Sequence, residues 1–168
     1  MAFNPEAWHD LYVMSGGAAA ALAGLLFVAM SLHARAIMAN AFFRNRAIGT
    51  LMSLASQLLI SGAVLIPGQP IRLLGAEVEV AALFFLAYIV RQMQTRGSDA
   101  PSVASTWTHR LMELVGGTIW IVLFNVAGVS MLLEVGGGLY LLAAVMLFRF
   151  VWNIYIAWML ITEASEAG

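Results

Sequence analysis

The chain has 168 residues, a net charge of −1, and 62% hydrophobic against only 10% charged residues. A soluble domain usually carries about 25% charged residues, so lipid is the expected main solvent, and no basic patch is available for nucleic acid. The absence of Cys excludes disulfides, thiolate metal sites, thiol catalysis and palmitoylation.

Read in order, the chain predicts a single all-α membrane domain, a bundle of five transmembrane helices. The N-terminal stretch MAFNPEAWHD lacks a basic n-region, so the first span is expected to stay in the mature protein. That span covers residues 8–34, through GGAAAALAGLLFVAMSL. Gly17, Ala20, Ala21 and Gly24 form a smooth helix-packing face of the small-xxx-small type, where another backbone can approach closely. Packing against the chain's own helices is the favoured reading of this face, and a seam with another chain is the other.

The second span covers 46–66. Within it Thr50, Ser53, Gln57 and Ser61 recur at spacings of three, four and four, which places them on one side of a helix. Pro67-Gly68-Gln69-Pro70 ends it in a tight turn. The third span covers 71–90 and carries Glu77 and Glu79, two residues apart and so on nearly opposite sides. A polar connection follows at 91–109, beginning RQMQTRGSDAPSVAST, the only long loop. The fourth span covers 110–133, with Asn125 inside it and Gly116, Gly117 and Gly128 as further small packing positions. Glu113 with Arg110 or His109 reads as an ion pair at its start. Gly136-Gly137-Gly138 turns the chain into the fifth span, 139–161, where VMLFRFVWN sets Arg149 among apolar and aromatic residues.

All eight basic residues are Arg, and their placement predicts orientation. Arg35, Arg44 and Arg46 flank the first connection, and Arg91, Arg96 and Arg110 the third, whereas the second has only Arg72 and the fourth none. This puts the N-terminus outside and the C-terminus in the cytoplasm. Trp8, Tyr12 and Tyr140 then fall at the outer boundary, with Trp107 and Trp158 at the inner one, as an aromatic belt.

At a rise of about 1.5 Å per residue, Gln57, Glu79, Asn125 and Arg149 all lie roughly 20 Å from the cytoplasmic helix ends. Glu77 is slightly higher and Asn153 slightly lower, so a mid-membrane polar cluster of Arg149, Glu77, Glu79, Gln57, Asn125 and Asn153 is expected. A charge at the bilayer centre costs at least about 2.5–3.5 kcal/mol unless paired or hydrated. Glu77 is the expected partner of Arg149, because Arg72 lies on the Glu79 face and can serve that carboxylate. The cluster reads either as a hydrated path or as interhelical hydrogen bonding that fixes packing.

His33 and His109 both sit near the cytoplasmic boundary and are weak candidates for a shared metal or haem, but two ligands without an HExxH-type spacing leave no metal and no cofactor expected. No phosphate loop, nucleophile elbow or catalytic Cys is present, so no catalytic residue is assigned and the chain is not expected to be an enzyme.

Three stretches, AGLLFVAMSL, LIPGQPIRLLGAE and WNIYIAWMLITE, together resemble a group of small bacterial membrane proteins sometimes labelled modulators of the FtsH protease. The resemblance spans most of the chain and implies a multi-pass protein of the bacterial cytoplasmic (inner) membrane. The better-known modulators look like seven-span proteins, and five spans set this chain apart from them. The expected function is that of a non-enzymatic subunit or regulator of a membrane protein complex. Its partners are the lipid bilayer and another membrane protein or a homo-oligomer, with no nucleic acid. The alternative is a small oligomeric channel or transporter with a mid-membrane polar pathway.

Overall fold

In lipid no water is present to satisfy N–H and C=O groups, so long apolar stretches must close their hydrogen bonds within one segment, which means helix. A computed structural model describes residues 3–95 and 107–166, and within these every regular element is helical. After a 3-10 turn at Pro5–Trp8 come α1 (His9–Leu32), α2 (Ala34–Ala39), α3 (Ala41–Val64), α4 (Ile71–Thr95), α5 (Trp107–Leu133) and α6 (Gly138–Glu166). Four segments are long and apolar enough to cross a membrane: Pro5–Leu32, Phe43–Val64, Ile71–Arg91 and Gly138–Thr162. Within α5 the described apolar stretch Ile119–Leu133 is shorter. Large hydrophobic side chains such as Leu25, Phe27, Leu59, Phe84, Val151 and Trp158 stand exposed along these helices. Such helices, apolar on all sides, fit a hydrocarbon solvent.

The first connection differs from the expected linker between residues 34 and 46. It is largely helical, because ARAIMA is rich in strong helix formers and α3 starts at Ala41. The chain breaks only at His33 and at Asn40, whose backbone is extended at φ −114°, ψ 118°.

The Pro67–Pro70 turn forms as the residues dictate. Gln69 N–H donates to Ile66 O at 3.4 Å, and Gly68 at φ +69° fills the left-handed third position that a type II turn requires. Leu73 and Leu74 N–H then donate to Pro70 O, opening α4. At the far end of α5, Val135 N–H reaches Ser130 O at 3.0 Å and Glu134 N–H reaches Met131 O at 3.3 Å. This is a Schellman close, with Glu134 at φ +56° in the position usually given to Gly.

The chain divides into two units. One comprises the described residues of Met1–His9 and Ala63–Val145, and its principal contact is α4 on α5. Gly75 makes that approach possible, since a Cβ there would fall 2.9 Å from Leu132 N and 3.0 Å from Gly128 O. Leu74, Val78 and Ala82 of α4 and Phe124, Ala127 and Met131 of α5 are buried in this unit. Trp8 and Tyr140 meet edge to face, ring centroids 4.6 Å apart.

The other unit comprises Asp10–Gly62 and the described residues of Met146–Gly168, and thus holds α1, α2, nearly all of α3 and most of α6. Its apolar core joins Ala19, Leu26, Ile37, Phe43, Ala47, Leu54, Ala157 and Leu160. α1 touches α3 where a Cβ on Gly16 would lie 3.0 Å from Ser61 Cβ. The buried side of α1 is Tyr12, Ser15, Gly16, Ala19 and Leu26, a face with helical spacing.

Candidate functional site

The candidate site is the polar column of the second unit. Thr50, Ser53, Gln57 and Ser61 on α3, Arg149 and Asn153 on α6, and Tyr12 and Ser15 on α1 are each between 0 and 6% exposed. Polar groups removed from water and lipid in this way cost free energy unless hydrogen-bonded. Four of them bond within the protein through their side chains. Gln57 Nε2 donates to Met146 O at 3.1 Å, Arg149 Nε donates to Ser53 Oγ at 2.8 Å, and Thr50 Oγ1 donates to Arg46 O at 2.9 Å. Gln57 with Met146 and Ser53 with Arg149 give the register of α3 against α6, and Arg46 Nη2 with Met159 Sδ at 3.7 Å continues it toward the start of α3. Residue numbers rise on one helix as they fall on the other, so the two run antiparallel. Asn153 comes one turn beyond Arg149 on α6, toward the Arg46 end.

Four polar atoms of this column are buried and have no hydrogen-bond partner: Tyr12 OH, Gln57 Oε1, Ser61 Oγ and Asn153 Nδ2. They come from three helices of one unit.

The other expected members of the cluster, Glu77, Glu79 and Asn125, belong to the other unit, that of α4 and α5. Glu77 Oε2 accepts from Gln69 Nε2 at 2.7 Å, so the turn residue reaches over the first turns of α4. Glu79 lies over Gly128, its Cγ and Cδ 3.0 Å from where a Cβ of that residue would be, and its Oε1 is buried without a partner. Arg72 does not serve Glu79 as expected. Its Nε pairs with Glu134 Oε1 at 2.7 Å, because the left-handed close of α5 brings that carboxylate to the start of α4. Both side chains are well exposed, 71% and 45%, and an exposed pair of this kind is worth at most about 1 kcal/mol. Asn125 is half-buried and turns back on its own helix, Nδ2 donating to Ile121 O at 2.7 Å. It is a local helix contact.

Of the residues expected in the aromatic belt, Tyr12 is fully buried, whereas Tyr140 and Trp158 are exposed. The spacing of Tyr12 from Ser15, Gly16 and Ala19 was the available signal, because positions i, i+3, i+4 and i+7 share a helix face. The small-residue face of α1 also differs from expectation. Gly17, Ala20, Ala21 and Gly24 are exposed, and a Cβ on Gly17 or Gly24 would meet nothing within 4 Å. The favoured reading, packing against the chain's own helices, is therefore not met: α1 buries the adjacent face instead.

His33 sits at the α1–α2 break, its Nδ1 3.1 Å from Ala29 O, a contact internal to its own helix end. The side chains of His109, Arg110, Glu113 and Trp107, and the surroundings of Gly116 and Gly117, lie outside the described residues, as does most of the 91–109 loop. Among the described residues no three His, Asp or Glu groups stand together in a metal-holding arrangement. Comparison of the chain with protein-family models, with curated proteins and with solved structures finds no match.

Proposed function

We propose that the chain is a five-span protein of a bacterial inner membrane that acts, without chemistry of its own, as a subunit or regulator by docking another membrane protein on α1. The observation that carries this reading is the two-sidedness of α1. One face, Tyr12 to Leu26, is buried in its unit, while Gly17, Ala20, Ala21 and Gly24 present a smooth exposed strip with open space beyond both glycines. Between membrane helices association comes from close van der Waals packing, which such strips favour. The internal hydrogen bonds of Gln57, Arg149 and Thr50 support a structural role for the polar column over a conducting one.

Gly24→Leu tests the docking face. The purified monomer is expected to keep its melting temperature within about 2 °C, because the new side chain meets nothing of its own chain. The complex isolated from membranes is expected to dissociate, read by size-exclusion chromatography with light scattering. A complex that survives the change would sink the docking reading. A complex made only of this chain would make the partner a second copy.

Topology has its own measurement. With the N-terminus outside and five spans, a reporter at the C-terminus is expected in the cytoplasm and one inserted at Gln69 in the periplasm. Two reporters on the same side would rule out this arrangement. The channel reading draws on the unpartnered column atoms, and solute flux into liposomes carrying the purified protein would favour it.

A further inference from the structure

We infer that α1, α3 and α6 enclose an internal column of bound water, running from Tyr12 past Ser61 to Gln57 and stopping at the guanidinium of Arg149. The column is distinct from the exposed strip on α1 and holds or fails independently of it.

Three of the four unpartnered atoms carry the inference: Tyr12 and Gln57 are fully buried, and Ser61 is 1% exposed. A buried polar atom without a partner is rare in a native protein, and bound water is the commonest way such atoms are satisfied. Ser61 and Gln57 lie one turn apart on the same face of α3, so their side chains are neighbours. At the level of Ser61 the backbones of α1 and α3 come close at Gly16, and Tyr12 lies one turn before Gly16 on the buried face of α1.

The chemistry of the groups selects the occupant. The hydroxyls of Tyr12 and Ser61 both donate and accept, and Gln57 Oε1 accepts only. This mixture suits water, which does both. The amide nitrogen of Gln57 is engaged by Met146 O, which holds Oε1 in its place as the acceptor. One turn further along α3, at the level of Ser53, the Arg149 guanidinium places a fixed positive charge that disfavours a cation as the occupant.

Ser61→Ala tests the inference by thermal unfolding of the purified protein, because it removes one hydroxyl of the column and leaves the Gln57 to Met146 hydrogen bond in place. If Ser61 Oγ is dry, deleting an unsatisfied hydroxyl raises the melting temperature. If it holds water, the bridge is lost and the melting temperature falls by a few degrees, which is the expected result. A rise would overturn the proposal.

Discussion

Gly75→Leu is expected to destabilise the purified protein by about 3 kcal/mol, because its side chain has nowhere to go. A Cβ at this position already falls 2.9 Å from Leu132 N and 3.0 Å from Gly128 O, and both are backbone atoms of a neighbouring helix. Backbone cannot yield as a flexible side chain can, so α4 and α5 must separate or tilt. Gly75→Ala is expected to cost less, about 1–2 kcal/mol, since the better helix propensity of Ala offsets part of the clash. The measurement is unfolding in mixed micelles with increasing denaturing detergent, followed by circular dichroism. The comparison with Gly24→Leu isolates packing from chemistry. The same substitution type in α1 meets open space and is expected to be silent in the monomer. If both changes cost the same, contact with the neighbouring helix would not be the cause, since helix propensity favours Leu over Gly at both positions.

The second large effect belongs to Arg149 and Ser53. Arg149 Nε donates to Ser53 Oγ at 2.8 Å in a buried setting, and a hydrogen bond to a charged group contributes about 1.5–3 kcal/mol. Ser53→Ala leaves the guanidinium N–H without that acceptor and is expected to cost most of this range. Arg149→Met is expected to leave less strain at Ser53, because a helical Ser hydroxyl can turn back to the carbonyl of the preceding turn. The double variant is expected to be more stable than the sum of the two single effects, with a coupling of about 1.5–3 kcal/mol in a double-mutant cycle. Additive effects would show that the contact carries no stability. Relief of Arg149→Met by Glu77→Gln in place of Ser53→Ala would match the guanidinium to the α4 carboxylate, the pairing that the residue pattern alone favours.

The column on α3 was readable from spacing, and the reason is chemical contrast. Thr50, Ser53, Gln57 and Ser61 stand out against Leu, Ile and Met neighbours, so their common face is visible in a list of residues. Tyr12 carried no such contrast. A Tyr near a helix end is also what a membrane interface selects, and that general preference outweighed its register with Ser15, Gly16 and Ala19. The carboxylates illustrate a different difficulty. Depth along a helix follows from counting, but a side-chain partner depends on rotation and on the geometry of helix ends. The left-handed close at Glu134 gave Arg72 a partner that no spacing rule contains.

The sequence by itself determined the class of solvent, the all-helical architecture and the position of the Pro67–Pro70 turn. These follow from local rules: apolar length against bilayer thickness, backbone hydrogen bonds that must close within a segment, and the φ that Gly68 supplies. Only the tertiary structure decided which face of α1 looks inward. In water the hydrophobic pattern marks the buried face, but lipid is as apolar as a protein core, so α1 reads alike on every side. The difference between burying Tyr12, Ser15, Gly16 and Ala19 and burying Gly17, Ala20, Ala21 and Gly24 is one of packing shape. Ser61 fits against Gly16 on α1, and that fit is a property of two helices together.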